Sequence, residues 1–178
     1  MTRCKVCQLA KGHSQNTGLY TPFPIPSRPW DSVSLDFILG LPRAQQVYDL
    51  VMVVVDKFLK MAHFIPCRET SDATHMAHLL FTEIVRLHVL PKSILFDRDV
   101  KFTGNFWHTL WKNMDTQLSC SFAYHPQTNG QTKVVNRSLG NLLRSLIGEN
   151  SQMWDQVLVQ VEFAYNDWPN RSISCSPF

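Results

Sequence analysis

No apolar stretch in this chain is long enough to cross a bilayer; the longest, Leu50 to Val55, has the length of a buried strand. The opening Met1-Thr2-Arg3-Cys4-Lys5 has no apolar core, so neither a secretory signal nor a membrane partner is expected. Charge is also scarce: charged residues make up 17% and the net charge is only +3. That balance excludes a disordered charged tail, and it permits nucleic-acid binding without demanding it. Internal repeats and low-complexity tracts are missing. The five cysteines, at 4, 7, 67, 120 and 175, are odd in number and widely scattered. A disulfide framework is therefore not expected, and a reduced, intracellular protein is.

What the chain does have is enough apolar residue, 44% of 178 positions, to bury one core. Residues 1–29 read as a linker. Cys4 and Cys7 form half of a zinc site, and prolines at 22, 24, 26 and 29 forbid a helix. A closed zinc site needs four ligands, so zinc is not expected and the pair reads as a remnant. Residues 30–178 read as the folded domain. Val33 to Leu39, Tyr48 to Val55 and Met61 to Cys67 are strands, the second buried on both faces. Asp72 caps a helix carrying Ala73, Met76, Ala77, Leu80, Ile84 and Leu87, which Pro91 ends. Ser93 to Phe96 is a short strand. Phe102 to Met114 is a helix with Phe106, Leu110 and Trp111 inward, and Gln117 to Tyr124 is a fifth strand. Helices over 131–148 and 151–167 close the chain. The order βββαβαβαα predicts an α/β fold, a five-stranded mixed sheet with helices on both faces.

Two strands end on acids. Asp36 lies in Ser34-Leu35-Asp36-Phe37, and Asp97 follows Ile94-Leu95-Phe96. Phosphoryl transfer asks a protein mainly to position groups and neutralise developing charge, and carboxylates hold the hard divalent cations that do so. Sixty residues separate Asp36 from Asp97, and thirty-five separate Asp97 from position 133, where a helix carries Lys133. A third acid there would complete a two-metal site. A lysine has the opposite charge.

From about residue 30 onward the chain resembles the catalytic core of integrases from gypsy-type LTR retrotransposons, within the ribonuclease-H-like superfamily. The resemblance rests on Ser34-Leu35-Asp36-Phe37, on Val53-Val54-Val55-Asp56-Lys57-Phe58 with Lys60-Met61-Ala62-His63-Phe64, and on Asp97-Arg98-Asp99-Val100-Lys101-Phe102. It continues through His125-Pro126-Gln127-Thr128-Asn129-Gly130-Gln131-Thr132, Val134-Val135-Asn136-Arg137 and Phe163-Ala164-Tyr165-Asn166. Cys4 and Cys7 are similar to the second half of the family's zinc module. The resemblance implies 3′-end processing of element DNA and strand transfer into target DNA. It further implies Mg²⁺ or Mn²⁺ as cofactor, homodimerisation through the core, and a home in the nucleus or a cytoplasmic particle. It matches Asp36 and Asp97 to the first two acids of the catalytic triad, both metal ligands, and Lys133 to the glutamate. Metal binding is accordingly expected to be weakened or lost, and the enzyme impaired.

Other departures point the same way. Val89 stands where the family has a left-handed glycine, at an expected cost of roughly 1–2 kcal/mol. Asp115 also replaces a common glycine, Phe96 a small residue, and Gly140 weakens a helix interior by about 1 kcal/mol. Together they suggest a decaying element copy truncated at both ends. On that last-but-one helix, Val135, Leu139, Leu142, Leu143 and Leu146 form the apolar stripe. Lys133, Arg137, Asn141 and Arg144 fall on another face and are the candidate DNA contacts, with His125, Gln127, Asn129 and Gln131 from the preceding loop. A plain DNA-binding or oligomerisation module without chemistry is the alternative. His75 and His78 read as surface histidines, and Trp107, Trp111, Trp154 and Trp168 as core or interface.

Overall fold

A computed structural model of the chain describes residues 26–44, 46–97, 99–120, 130–147, 150–170 and 172–178. Five strands form one sheet: β1 (Ser32–Ile38), β2 (Leu50–Asp56), β3 (Ala62–Cys67), β4 (Ser93–Phe96) and β5 (Gln117–Cys120). Their spatial order is β3-β2-β1-β4-β5. The first three pair antiparallel, while β1–β4 and β4–β5 are parallel. The helices are α1 (Ala73–Leu80), α2 (Val100–Thr103), α3 (Asn105–Asn113), α4 (Gly130–Ile147) and α5 (Trp154–Asp167). This is the mixed sheet and element order that the sequence predicts.

The β-branched run of β2 explains the layering. Every residue of β2 is buried. Leu50, Met52 and Val54 face one core with α1, α2 and α3; Val51, Val53 and Val55 face another with α4 and α5. Each such side chain taken out of water contributes roughly 1.5–3 kcal/mol, so a strand apolar on both faces needs helices on both. Asp72 caps α1 as expected, its Oδ1 accepting the His75 N–H at 2.8 Å. His75 and His78 are exposed on that helix.

Several expectations are corrected. The helix predicted over 102–114 is two, because Gly104 is extended (φ −70°, ψ 152°) between α2 and α3. The break rephases the second helix, so Trp107 and Trp111 are fully buried while Phe106 is 46% exposed. Leu146 is 52% exposed, although Leu143 before it and Ile147 after it pack on the core. Of the tryptophans expected in core or interface, Trp107, Trp111 and Trp154 are in the core and Trp168 is 76% exposed.

Val89 carries no left-handed strain, because it is not among the positive-φ residues. After α1 the chain widens into a π-helical turn over Phe81–Val85, with Arg86 N–H reaching the Phe81 carbonyl at 2.9 Å, and the turn needs no glycine. Asp115 does occupy a glycine-type conformation, φ 55°. It closes α3 with paired bonds, Asp115 N–H to the Lys112 carbonyl and Thr116 N–H to the Trp111 carbonyl, which aspartate tolerates better than a branched residue. Phe96 is absorbed by the first core, edge-on to Phe102 with ring centroids 5.7 Å apart.

Edge strand β3 is covered by side chains of α5. Asn166 accepts the Ala62 N–H at 2.9 Å and donates to the Ala62 carbonyl at 2.8 Å, and Glu162 accepts the Phe64 N–H at 2.7 Å. A free edge would otherwise present these groups for pairing with another chain.

A methyl group at Gly140 would meet only the Arg144 guanidinium, at an ordinary 3.7 Å. Gly140→Ala is therefore expected to raise unfolding free energy by about 1 kcal/mol in a denaturant titration, the helix-propensity difference with no steric offset.

Candidate active site

Parallel pairing of β1 and β4 brings their acids together. Leu35 is in register with Phe96, so Asp36 and Asp97 are each one residue beyond a matched pair at the same end of the sheet. Asp36 lies opposite Val53, on the face that α4 covers. Its Oδ1 accepts its neighbour Phe37's N–H at 2.9 Å, and its Oδ2 accepts the Asn136 amide at 2.9 Å. Asp97, just past β4, is exposed.

The helix is held by a second polar contact one turn earlier. The Thr132 hydroxyl donates to the Ser34 hydroxyl at 3.0 Å, and both groups are buried. Thr132 and Asn136, four apart, face β1, with Val135, Leu139 and Leu143 completing the inward side. Lys133 is the next residue round the helix and is exposed.

Electrostatics link Asp36 to each of the other two positions. Burial pushes the Asp36 carboxyl above its usual range, and the Asp97 charge pushes the same way. The Phe37 N–H, the Asn136 amide and the Lys133 ammonium pull it down, with less effect than burial. Asp36 thus feels both the like charge of Asp97 and the opposite charge of Lys133.

Asn136 is the residue that sequence reasoning missed. It stands in the Val134-Val135-Asn136-Arg137 stretch of the resemblance, three residues after Lys133, but no feature of the sequence assigned it a role at the site. Its Oδ1 is buried with no hydrogen-bond partner among the described residues. The donor set present here, two carboxylates and an ammonium with one carboxylate oxygen already holding Asn136, does not fit a pair of divalent cations. Among the described residues no group of three His, Cys, Asp or Glu could hold a metal ion.

On the outer side of α4, Lys133, Arg137 and Arg144 are exposed, and Arg144 donates to the partly buried Asn141 at 2.7 Å. Val134, 64% exposed, lies among them. Cys4, Cys7, His125, Gln127 and Asn129 lie outside the described residues, as does the side chain of Gln131. No helix among the described residues is long and apolar enough to cross a membrane.

No family model matches the chain. It is 32% identical over 176 residues to the transposon Tf2-3 and Tf2-4 polyproteins of Schizosaccharomyces pombe, an alignment covering 98% of this chain. The chain spans only 13% of those polyproteins' length. Among solved structures, it is similar to a chain of the simian T-cell lymphotropic virus intasome in complex with PP2A regulatory subunit B56 gamma. There the TM-score is 0.75 at 16% identity, over 98% of this chain and 61% of that one. The HTLV-2 integrase catalytic core domain in complex with magnesium, in its trimeric form, gives a TM-score of 0.65 at 14% identity, over 84% of this chain and 94% of that one. At these identities the likeness speaks for the fold, which is ribonuclease-H-like.

A carboxyl held above its unfolded value of 3.8 is a stability cost once ionised. The cost is absent in acid and complete above the folded pKa. Asp36→Asn keeps the Phe37 and Asn136 bonds within reach and removes that charge. Thermal melts are expected to show the variant more stable than the parent near neutrality, with the gain vanishing as pH falls through the carboxylate range.

Proposed function

From a chain that belongs to the integrase cores of LTR retrotransposons, we propose a nucleic-acid-binding core whose ancestral reaction, 3′-end processing and strand transfer of element DNA, is impaired. One observation supports this reading: Asp36 feels the charges of both Asp97 and Lys133. In a complete site two divalent cations activate the attacking oxygen and stabilise the leaving one. Asp36 and Asp97 are the two positions left to hold Mg²⁺ or Mn²⁺. Glutamate to lysine changes the local formal charge by two, and an ammonium cannot ligate a cation. Lys133 instead supplies an internal countercharge to the carboxylates.

Residues 30–178 are the core in this proposal, and residues 1–29 a linker with the remnant of a zinc module at Cys4 and Cys7. Lys133, Arg137 and Arg144, with Asn141, meet the phosphates of element or target DNA, and His125, Gln127, Asn129 and Gln131 extend that contact from the loop. Lysine at 133 makes this face more basic than an acid would, which also favours the second reading, a DNA-binding or oligomerising module that has kept the surface and lost the chemistry. A second copy of the core is the expected partner in either case.

Strand-transfer and disintegration assays with Mn²⁺ separate the two. Lys133→Glu, in a protein carrying the flanking regions, is expected to gain measurable joining over the parent, and calorimetry is expected to show tighter Mn²⁺ binding by the variant. Ordinary family-like Mg²⁺ affinity in the parent would refute Lys133 as the lesion, and continued inactivity of the variant would mean that other lesions matter too. For the surface, Arg137→Ala is expected to weaken DNA binding without regard to sequence and to reduce the salt slope by about one. An unchanged slope would remove Arg137 from the contact.

A further inference from the structure

Away from Asp36, two histidine rings meet at the edge of the sheet. His63 alternates along β3 with Ala62 and Phe64. Its Nδ1 lies 2.9 Å from Glu162 Oε1 on α5, and its Nε2 lies 2.8 Å from Nε2 of His88, in the turn after α1. The other oxygen of Glu162 holds the Phe64 N–H. The His88 ring stacks on Trp30, centroids 3.6 Å apart and planes 6° from parallel. Trp30 in turn donates its N–H to the buried Asp56 at 3.0 Å. Four separate pieces of chain converge on the two rings: α5, β3, the turn after α1 and the entry to β1.

Proton counting constrains this chain. Against a carboxylate, His63 Nδ1 must carry hydrogen. Between two Nε2 atoms 2.8 Å apart there is room for one hydrogen only. Either His63 is neutral and accepts from His88, or His63 is an imidazolium and donates to it. With either ring charged alone a single hydrogen still lies between them; charging both would set N–H against N–H and break the joint.

We propose that Glu162, His63 and His88 form a one-proton latch that holds the turn after α1, with Trp30, against β3, and that a second ring proton opens it. The charged groups facing His88 are His63 from β3 and Glu162 from α5. Behind Trp30 stands Asp56, with its carboxylate taken up by the Trp30 and Leu59 N–H groups. Arg86, two residues before His88, is exposed and bonded to the Thr82 carbonyl. Burial and the positive charge of His63 oppose protonation of His88, Glu162 alone favours it, and the ring is pushed down to about 4. The opened joint frees the turn, while the imidazolium of His63 keeps Glu162 and hence the cover on Phe64.

Sign and window follow from linkage. His88 has a folded pKa near 4 against 6.5 for a free histidine, so the unfolded chain binds more protons between those values. The latch contributes its full stability above about 6.5 and loses it as pH falls toward 4. Long-range proton–nitrogen NMR on the unmodified chain reads the rings directly, with exposed His75 and His78 as internal controls. The expected result is a His88 ring that stays neutral until about pH 4 and whose shift changes together with those of the Trp30 ring. A His88 midpoint at the ordinary 6.5 overturns the latch. His88→Phe keeps the stack on Trp30 and removes the proton site; its unfolding free energy is expected to lose one proton's worth of pH slope across that window. A slope equal to the parent's overturns the proposal. Cobalt(II) added near neutrality is expected to leave both rings unchanged; broadening of both at one equivalent would make the pair a metal site and overturn it too.

Discussion

Helix α4 is docked on β1 by two polar contacts one turn apart, Thr132 to Ser34 and Asn136 to Asp36, and the site depends on that docking. Apolar packing of Val135, Leu139 and Leu143 presses the helix onto the sheet, but such contacts are non-directional and would tolerate a small rotation. The two hydrogen bonds are directional, and they set which residue of the helix looks at the acids. With Asn136 on Asp36, position 133 must stand at the rim of the same site. The charge at position 133 is accordingly felt by Asp36.

The polar contacts also account for the state of Asp36. A carboxylate half-withdrawn from water beside another carboxylate needs compensation. In this chain part of the compensation comes from a backbone N–H and an amide at hydrogen-bond distance, and part from the Lys133 charge. The same logic governs the opposite edge, where Glu162 and Asn166 occupy the outward N–H groups of β3. At both places α4 and α5 use polar side chains for position and apolar ones for adhesion.

Much of the architecture was legible because it follows from local chemistry. The β-branched run of β2 demands two covered faces, Asp72 offers its oxygen to the first turn of α1, and a short strand must end where Asp97 begins. Errors arose where a backbone choice intervened. Gly104 adopts an extended conformation that splits one expected helix into two, and this exchanges Phe106 for Trp107 at the core. The π-helical turn after α1 absorbs the misfit expected at Val89. Of the apolar stripe on α4, Leu146 is exposed while Ile147 after it packs on the core. Periodicity tells which residues share a face, not which of them the facing layer covers.

By itself the sequence determined the strand and helix order, the acids at two strand ends, and the charge at position 133. Those are properties of residue type and near neighbours. Only the tertiary structure decided that Asn136 is the group bonded to Asp36, and that His63, His88 and Glu162 share one proton-bearing chain. These pairings join residues far apart along the polymer. They depend on the register between strands and on the rotation of helices against the sheet, and no local pattern encodes either.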